Sequence, residues 1–180
     1  LIFAASLVMM LANNISANVR VPKLISDNMV LQRDTKLKIW GWADPGEKVT
    51  VSFYGKTFEV TTPSTGKWMV EMPPMKAGGP FEMIIRGNNE VKISNILLGD
   101  VWLCSGQSNM EYTLNMLGTY ENEIKLANIE EVRMLKVANL ATDTLRTDIG
   151  TTGWKSVSPE NTGSFSATAY FFGKELYQLY

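Results

Sequence analysis

One pattern governs residues 19–96 and limits what they can fold into. Short runs with an apolar residue at every second position are separated by turns at roughly ten-residue spacing. Period two marks a strand covered on one face. In KLKIWGWA, residues 36–43, Leu37, Ile39, Gly41 and Ala43 share one side, and Lys36, Lys38, Trp40 and Trp42 the other. Two tryptophans on the lysine side need cover from a loop or a neighbouring domain. DPGE follows, with Pro45 preset for the second turn position and Gly46 for the positive φ that a type II turn needs at the third. Val49, Val51 and Phe53 alternate next, and Gly55-Lys56 turns the chain into Phe58 and Val60. Residues 63–66 turn again before Trp68, Val70 and Met72. PPMKAGGP, residues 73–80, reads as irregular, because its prolines lack donors and its glycines are conformationally free. Phe81, Met83 and Ile85 then share a face, residues 87–90 turn, and Val91 and Ile93 follow. Six or seven strands in this cadence predict a small all-β antiparallel sandwich over residues 19–96.

The pattern changes at Leu97. In LLGDVWLCSGQSNM, residues 97–110, the stretch from Leu98 to Cys104 is apolar at nearly every position, as in strands covered on both faces. It then empties into Ser105, Gly106, Gln107, Ser108 and Asn109. Ser108 with Glu111 three residues on predicts a capping box, and Met110, Leu114 and Leu117 recur at helical spacing. Residues 121–128 predict another turn or two of helix, and EEVRMLKVAN, residues 130–139, a second strand. Strand, helix, strand is the start of an α/β domain. The polar residues 141–163 predict an excursion over the sheet edge, with Trp154 either stacked on a sugar ring or anchored in the core. At the end, Ser164 or Ser166 is placed to cap a helix with the stripe Ala169, Phe172, Leu176 and Leu179. With two strands of an α/β unit and then no more, the chain reads as the front of a larger protein.

In a parallel α/β sheet, ligands bind outside the carboxyl ends of the strands, so the exit from residues 98–104 is a candidate active-site corner. A serine there is exposed on a rigid backbone, and amides at a helix start are aimed to bind a developing oxyanion. Gly106 permits close approach, and Gln107 and Asn109 are placed to orient the serine or line the pocket. Ser105 and Ser108 compete for the role, each with a cap or turn as its alternative. The string Gly106-Gln107-Ser108 is not the G-x-S-x-G elbow. The chain has no histidine, so it carries neither its own Ser-His-Asp triad nor a His-based metal site. Its one cysteine, Cys104, has no internal disulfide partner and reads with Trp102 as buried. A net charge of -1, without runs of Lys and Arg, argues against a nucleic-acid partner. LIFAASLVMMLANNISA, residues 1–17, has an apolar part too short to span a bilayer. It looks like the remnant of a secretory signal, which predicts a periplasmic or secreted protein with no transmembrane span after signal removal.

The block GDVWLCSGQSNM, residues 99–110, resembles the first block of the sialate O-acetylesterase family, carbohydrate esterases of the SGNH (GDSL-like) hydrolase superfamily. DNMVLQR at residues 27–33, IWGWADPGEKVTV at 39–51, GKW at 66–68, KAGGPF at 76–81 and FSATAYFFGKEL at 165–176 resemble the family in the same order. The resemblance implies an N-terminal β domain followed, over residues 97–180, by the first part of an SGNH α/β hydrolase domain. It implies that Ser108 is the nucleophile, attacking an acetyl ester and giving an acyl-enzyme that water clears, with the Ser108 amide in the oxyanion hole. Gly106, Gln107 and Asn109 are then substrate-binding or supporting residues. Gly163 and Gly173 are the candidates for a second oxyanion donor. The family's asparagine donor and its Asp-x-x-His pair have no counterpart here, so the remainder of the hydrolase domain is expected beyond Tyr180. The implied partner is an acetylated sugar or glycan, sialic acid first and acetylated xylan or another glycan second, with neither cofactor nor metal. The rival expectation is a secreted carbohydrate-binding or scaffolding module with Trp40 and Trp42 exposed on its ligand surface.

Overall fold

A computed structural model describes residues 18–180, so the signal-like segment 1–17 lies outside the described residues. The period-two runs become β1 (Val30–Gln32), β2 (Leu37–Trp42), β3 (Lys48–Phe53), β4 (Lys56–Thr61), β5 (Lys67–Met72), β6 (Gly78–Arg86) and β7 (Glu90–Gly99). They form a five-stranded sheet in the order β1-β7-β6-β3-β4 and a two-stranded sheet of β2 and β5. The inward residues of both sheets make one core that includes Ile39, Val49, Val51, Trp68, Met83, Ile85 and Ile96, all buried. Burying an aliphatic or aromatic side chain fully contributes about 1.5–3 kcal/mol, so this shared face is what holds the sheets together. Gly41 is needed there: a Cβ on it would lie 2.1 Å from the Arg20 carbonyl oxygen and 2.8 Å from the Trp68 ring.

The structure departs from the alternation-based reading at four places. β1 pairs parallel with β7, Val30 opposite Leu97, so the β-rich part is not wholly antiparallel. The β3–β4 hairpin turns at Tyr54-Gly55, one residue early, with φ of 53° and 70°. Two positive φ values in a two-residue loop match the twist of the strands it joins. β6 begins at Gly78 and takes in residues the composition marked as irregular. Gly78 (φ 156°) and Gly79 (φ 131°) supply backbone angles that let the strand start through a register shift. Trp40 packs against the core, and the Arg20 guanidinium lies 4.3 Å from the centre of the Trp42 ring. Both tryptophans are thus half-buried by the molecule itself rather than fully exposed.

Residues 108–180 add α1 (Ser108–Glu111), α2 (Leu114–Leu117), α3 (Glu121–Leu126), β8 (Ile129–Val137), β9 (Thr151–Val157), α4 (Pro159–Thr162) and α5 (Ala167–Leu179). The chain as a whole is mixed α/β. A second, smaller core gathers Leu114, Ala127, Val157, Ala167 and Tyr170. Three expectations fail here. The apolar stretch from Leu98 to Cys104 is strand only to Gly99. Trp102 and Leu103 are 62% and 91% exposed, and Cys104 is exposed rather than buried. A strand covered on both faces needs hydrogen-bonded neighbours, and β8 gives its edge to β9 instead, in antiparallel register. The polar excursion therefore contains β9, and Trp154 is a core anchor: it packs on the first core and its Nε1 donates to the Leu24 carbonyl at 2.9 Å. Finally, α5 turns Ala167, Tyr170, Phe171 and Lys174 inward and leaves Phe172 and Leu179 exposed. Glu123 selects that face by accepting from both Tyr170 Oη and Lys174 Nζ at 2.5 Å. Those hydrogen bonds, Lys174 first, hold the Glu123 carboxyl below the usual carboxylate range.

Candidate active site

The corner is aimed from the β-sheet. Where β7 leaves the sheet, Arg33 Nε and Nη2 each donate to Asp100 at 3.0 Å, and Gln32 Oε1 accepts from Val101 N at 2.8 Å. The Arg33 hydrogen bonds hold the Asp100 carboxyl below its ordinary range. β1 and the residue after it thus fix the direction in which the exposed segment 101–107 departs.

Gln107, with φ -115° and ψ -146°, is the N-cap of α1, and the Met110 amide closes the turn on its carbonyl at 2.9 Å. Ser108 is therefore the first helical residue rather than the cap. The expected capping box does not form, because Glu111 falls one position past the N3 site it needs. The Glu111 carboxylate instead accepts from Asn139 Nδ2. A single turn has little macrodipole and no independent stability, so the expected helix field contributes little. Tertiary ties hold α1 in place. Thr168 Oγ1 donates to the Asn109 carbonyl at 3.3 Å, and Ala167 N donates to Tyr112 O at 2.8 Å. The Ser166 hydroxyl meets Met110 Sδ at 3.2 Å and also caps α5 by accepting from Ala169 N at 3.3 Å.

The result is a cavity of about 400 Å³ lined by Gly106, Gln107, Ser108, Glu111, Tyr112 and Met116. Three of the four expected site residues, Gly106, Gln107 and Ser108, meet on its wall. Asn109 is not among the lining residues; its carbonyl receives Thr168. Ser105 is not among the lining residues. Neither glycine candidate reaches the cavity. Gly163 is buried against α2, its carbonyl accepting from Asn115 N at 3.0 Å, and Gly173 faces Val132.

No protein-family model matches the sequence. The human sialate O-acetylesterase is 33% identical over 88% of this chain and 34% of its own length. The mouse sialate O-acetylesterase is 33% identical over 88% of this chain and 33% of its own. Among solved structures, a carbohydrate acetylesterase from Xanthomonas citri matches 88% of this chain and 37% of its own, with 38% identity and a TM-score of 0.85. This chain belongs to the SGNH-like carbohydrate esterase family. It spans about a third of the length of the curated relatives it matches.

Three residues of this carbohydrate esterase chain lie at the site without having been singled out as part of it: Glu111, Tyr112 and Met116. A signal for two of them was present. Glu111 and Tyr112 stand three and four residues after Ser108, the spacing that shares a helical face. Glu111 had been assigned to capping. Asn139 and Thr168, which hold Glu111 and the Asn109 carbonyl, come from later elements and leave no local trace.

Proposed function

We propose that this chain supplies the nucleophile side of a serine acetylesterase acting on O-acetylated sugars. Ser108 attacks the acetyl carbonyl, the sugar hydroxyl leaves, and water clears the acetyl-enzyme. The Ser108 amide donates to the oxyanion, Gly106 lets the ester approach, and Gln107 contacts its acyl or sugar side. Serine is a poor nucleophile at neutral pH without a base, and these 180 residues hold no histidine. The base and its acid partner therefore belong to the remainder of the parent protein, and this chain alone turns esters over poorly. Residues 19–96 make up the β-rich domain, whose last strand runs on to Gly99, and residues 97–180 the first part of the hydrolase domain. O-acetyl sialic acid is the substrate we put first, with other acetylated carbohydrates beside it; the similarity to the human sialate O-acetylesterase and to the Xanthomonas citri carbohydrate acetylesterase supports that reading. The signal-like residues 1–17 support a periplasmic or secreted site of action. No helix among the described residues is long and apolar enough to cross a membrane.

The observation that carries this reading is the position of Ser108 on the cavity wall, within the block that resembles the esterases. The test is Ser108→Ala in the full-length parent, assayed on p-nitrophenyl acetate and an acetylated sugar. Hydrolysis falls by on the order of 10⁶-fold while the folded state is unchanged. Retained hydrolysis would remove Ser108 from the mechanism.

A further inference from the structure

The Ser108 amide lies in a planar peptide shared with Gln107, so its direction depends on how the chain arrives and not on α1 alone. Among the described residues, Val101 is the last before Gln107 to make a hydrogen bond, and residues 102–106 run exposed between them. The upstream hold on the segment is therefore concentrated at Asp100 and Val101, and it comes from the β-rich domain. Arg33 grips both carboxylate oxygens of Asp100, Nε on Oδ1 and Nη2 on Oδ2, each at 3.0 Å. Gln32 Nε2 donates to Asp100 Oδ1 at 3.3 Å, while its Oε1 accepts from the Val101 amide at 2.8 Å. The Arg33 amide donates to the Gly99 carbonyl at 2.9 Å. The guanidinium is itself braced: its Nη1 lies 3.5 Å from Asp34 Oδ2, and Lys76 Nζ donates to Asp34 Oδ1 at 2.6 Å. The Arg33 and Asp100 side chains are 39% and 44% exposed. An isolated ion pair so exposed adds little stability, whereas a two-pronged fork inside a network fixes a direction.

We propose that Arg33 and Gln32 are positioning residues for the esterase reaction: through Asp100 and Val101 they set how the Ser108 amide meets the oxyanion. The inference rests on the esterase reading and makes the β-rich domain a working part of the catalytic apparatus. The same amide serves the oxyanion of acylation and that of deacylation, so loosening it lowers kcat and leaves KM in place. Removing an oxyanion donor outright costs about 10²–10³-fold in kcat, and loosening one costs roughly tenfold.

The test is a double-mutant cycle in the full-length parent on p-nitrophenyl acetate, with Tm recorded for every variant. Arg33→Ala and Asp100→Asn each lower kcat roughly tenfold, with KM held within about twofold. Combined, they lose no more than either does alone, because both break one link. Arg33→Lys keeps the charge without the fork and recovers only part of the loss. Asp100→Asn keeps the side-chain shape, so it carries the test even if Arg33→Ala does not fold. Wild-type kcat in the folded single variants, measured well below Tm, overturns the proposal, since a purely structural role moves Tm alone. A change confined to KM overturns it too, as do losses that multiply in the double variant. Ser108→Ala run alongside separates the two claims. If it stays active, the esterase reading itself has failed. If it is dead while Arg33→Ala and Asp100→Asn keep the wild-type kcat, the positioning role alone has failed.

Discussion

The two halves of the molecule use their apolar residues differently. Among the described residues, the first core gathers eighteen buried apolar side chains and the second gathers five. Conversely, among the described residues, the large apolar ones left exposed before Asp100 are Tyr54 and Met69, whereas Trp102, Leu103, Leu126, Phe172 and Leu179 are among those that follow. The β-rich half satisfies itself. The half that carries Ser108 keeps an apolar face open, with Trp102 edge-on to Phe172 at 5.3 Å and both accessible. The site is thus built on the boundary between a closed scaffold and an open one. The scaffold aims the segment through Arg33 and Asp100; the second half closes the turn through Thr168 and Ser166.

The strongest way to break this contrast is a pair of tryptophan substitutions. Trp68 is fully buried, so Trp68→Ala costs about 3–5 kcal/mol in denaturant unfolding, whereas Trp102→Ala, at 62% exposure, changes stability by about 0.5 kcal/mol or less. Equal effects would mean the halves are not differently packed. Next in size is Gly41→Ala. Its methyl group collides with the Arg20 carbonyl and the Trp68 ring, and overpacking of this kind costs about 1–3 kcal/mol, read as a lower Tm.

The second half is sharpened by pH. The folded Glu123 carboxyl sits below its ordinary range because Lys174 and Tyr170 donate to it. Its contribution is therefore fully present above the unfolded carboxylate value of about 4.3 and is lost as the pH falls through the lower folded value. Glu123→Gln should cost about 1 kcal/mol at pH 7, with the gap to wild type closing below about pH 4 in thermal melts. A gap independent of pH would remove the ionised carboxylate from the account. The smallest effect is expected at Thr168→Val, a fewfold loss in kcat of the full-length parent that Thr168→Ser restores, because one long hydrogen bond to Asn109 O is removed.

What could be read in the sequence follows the same division. In the β-rich half, alternation and turn chemistry are local, so Leu37, Ile39, Trp68, Val70 and Met72 were legible as buried and Gly46 as a turn residue. The parallel pairing of β1 was not, because Val30–Gln32 is too short to show a period and its partner lies far along the chain. In the second half, an apolar run such as Val101 to Cys104 reads as a buried strand whether or not anything covers it, and periodicity carries no information about neighbours. The stripe on α5 failed for a related reason. Tyr170 and Lys174 are polar at one end, yet a carboxylate from α3 draws that face inward. At the site, the motif singled out Gly106, Gln107 and Ser108, which line one depression. Glu111 was hidden by the competing cap reading, and Asn139 and Thr168 by distance along the chain.

The central claim is that Ser108, not Ser105, is the nucleophile of the parent esterase. The direct measurement is to treat the full-length protein with a fluorophosphonate and map the adduct by peptide mass spectrometry. This account predicts one adduct on Ser108, loss of ester hydrolysis in step with labelling, and no adduct in Ser108→Ala. An adduct on Ser105, or full hydrolysis by Ser108→Ala, would contradict it.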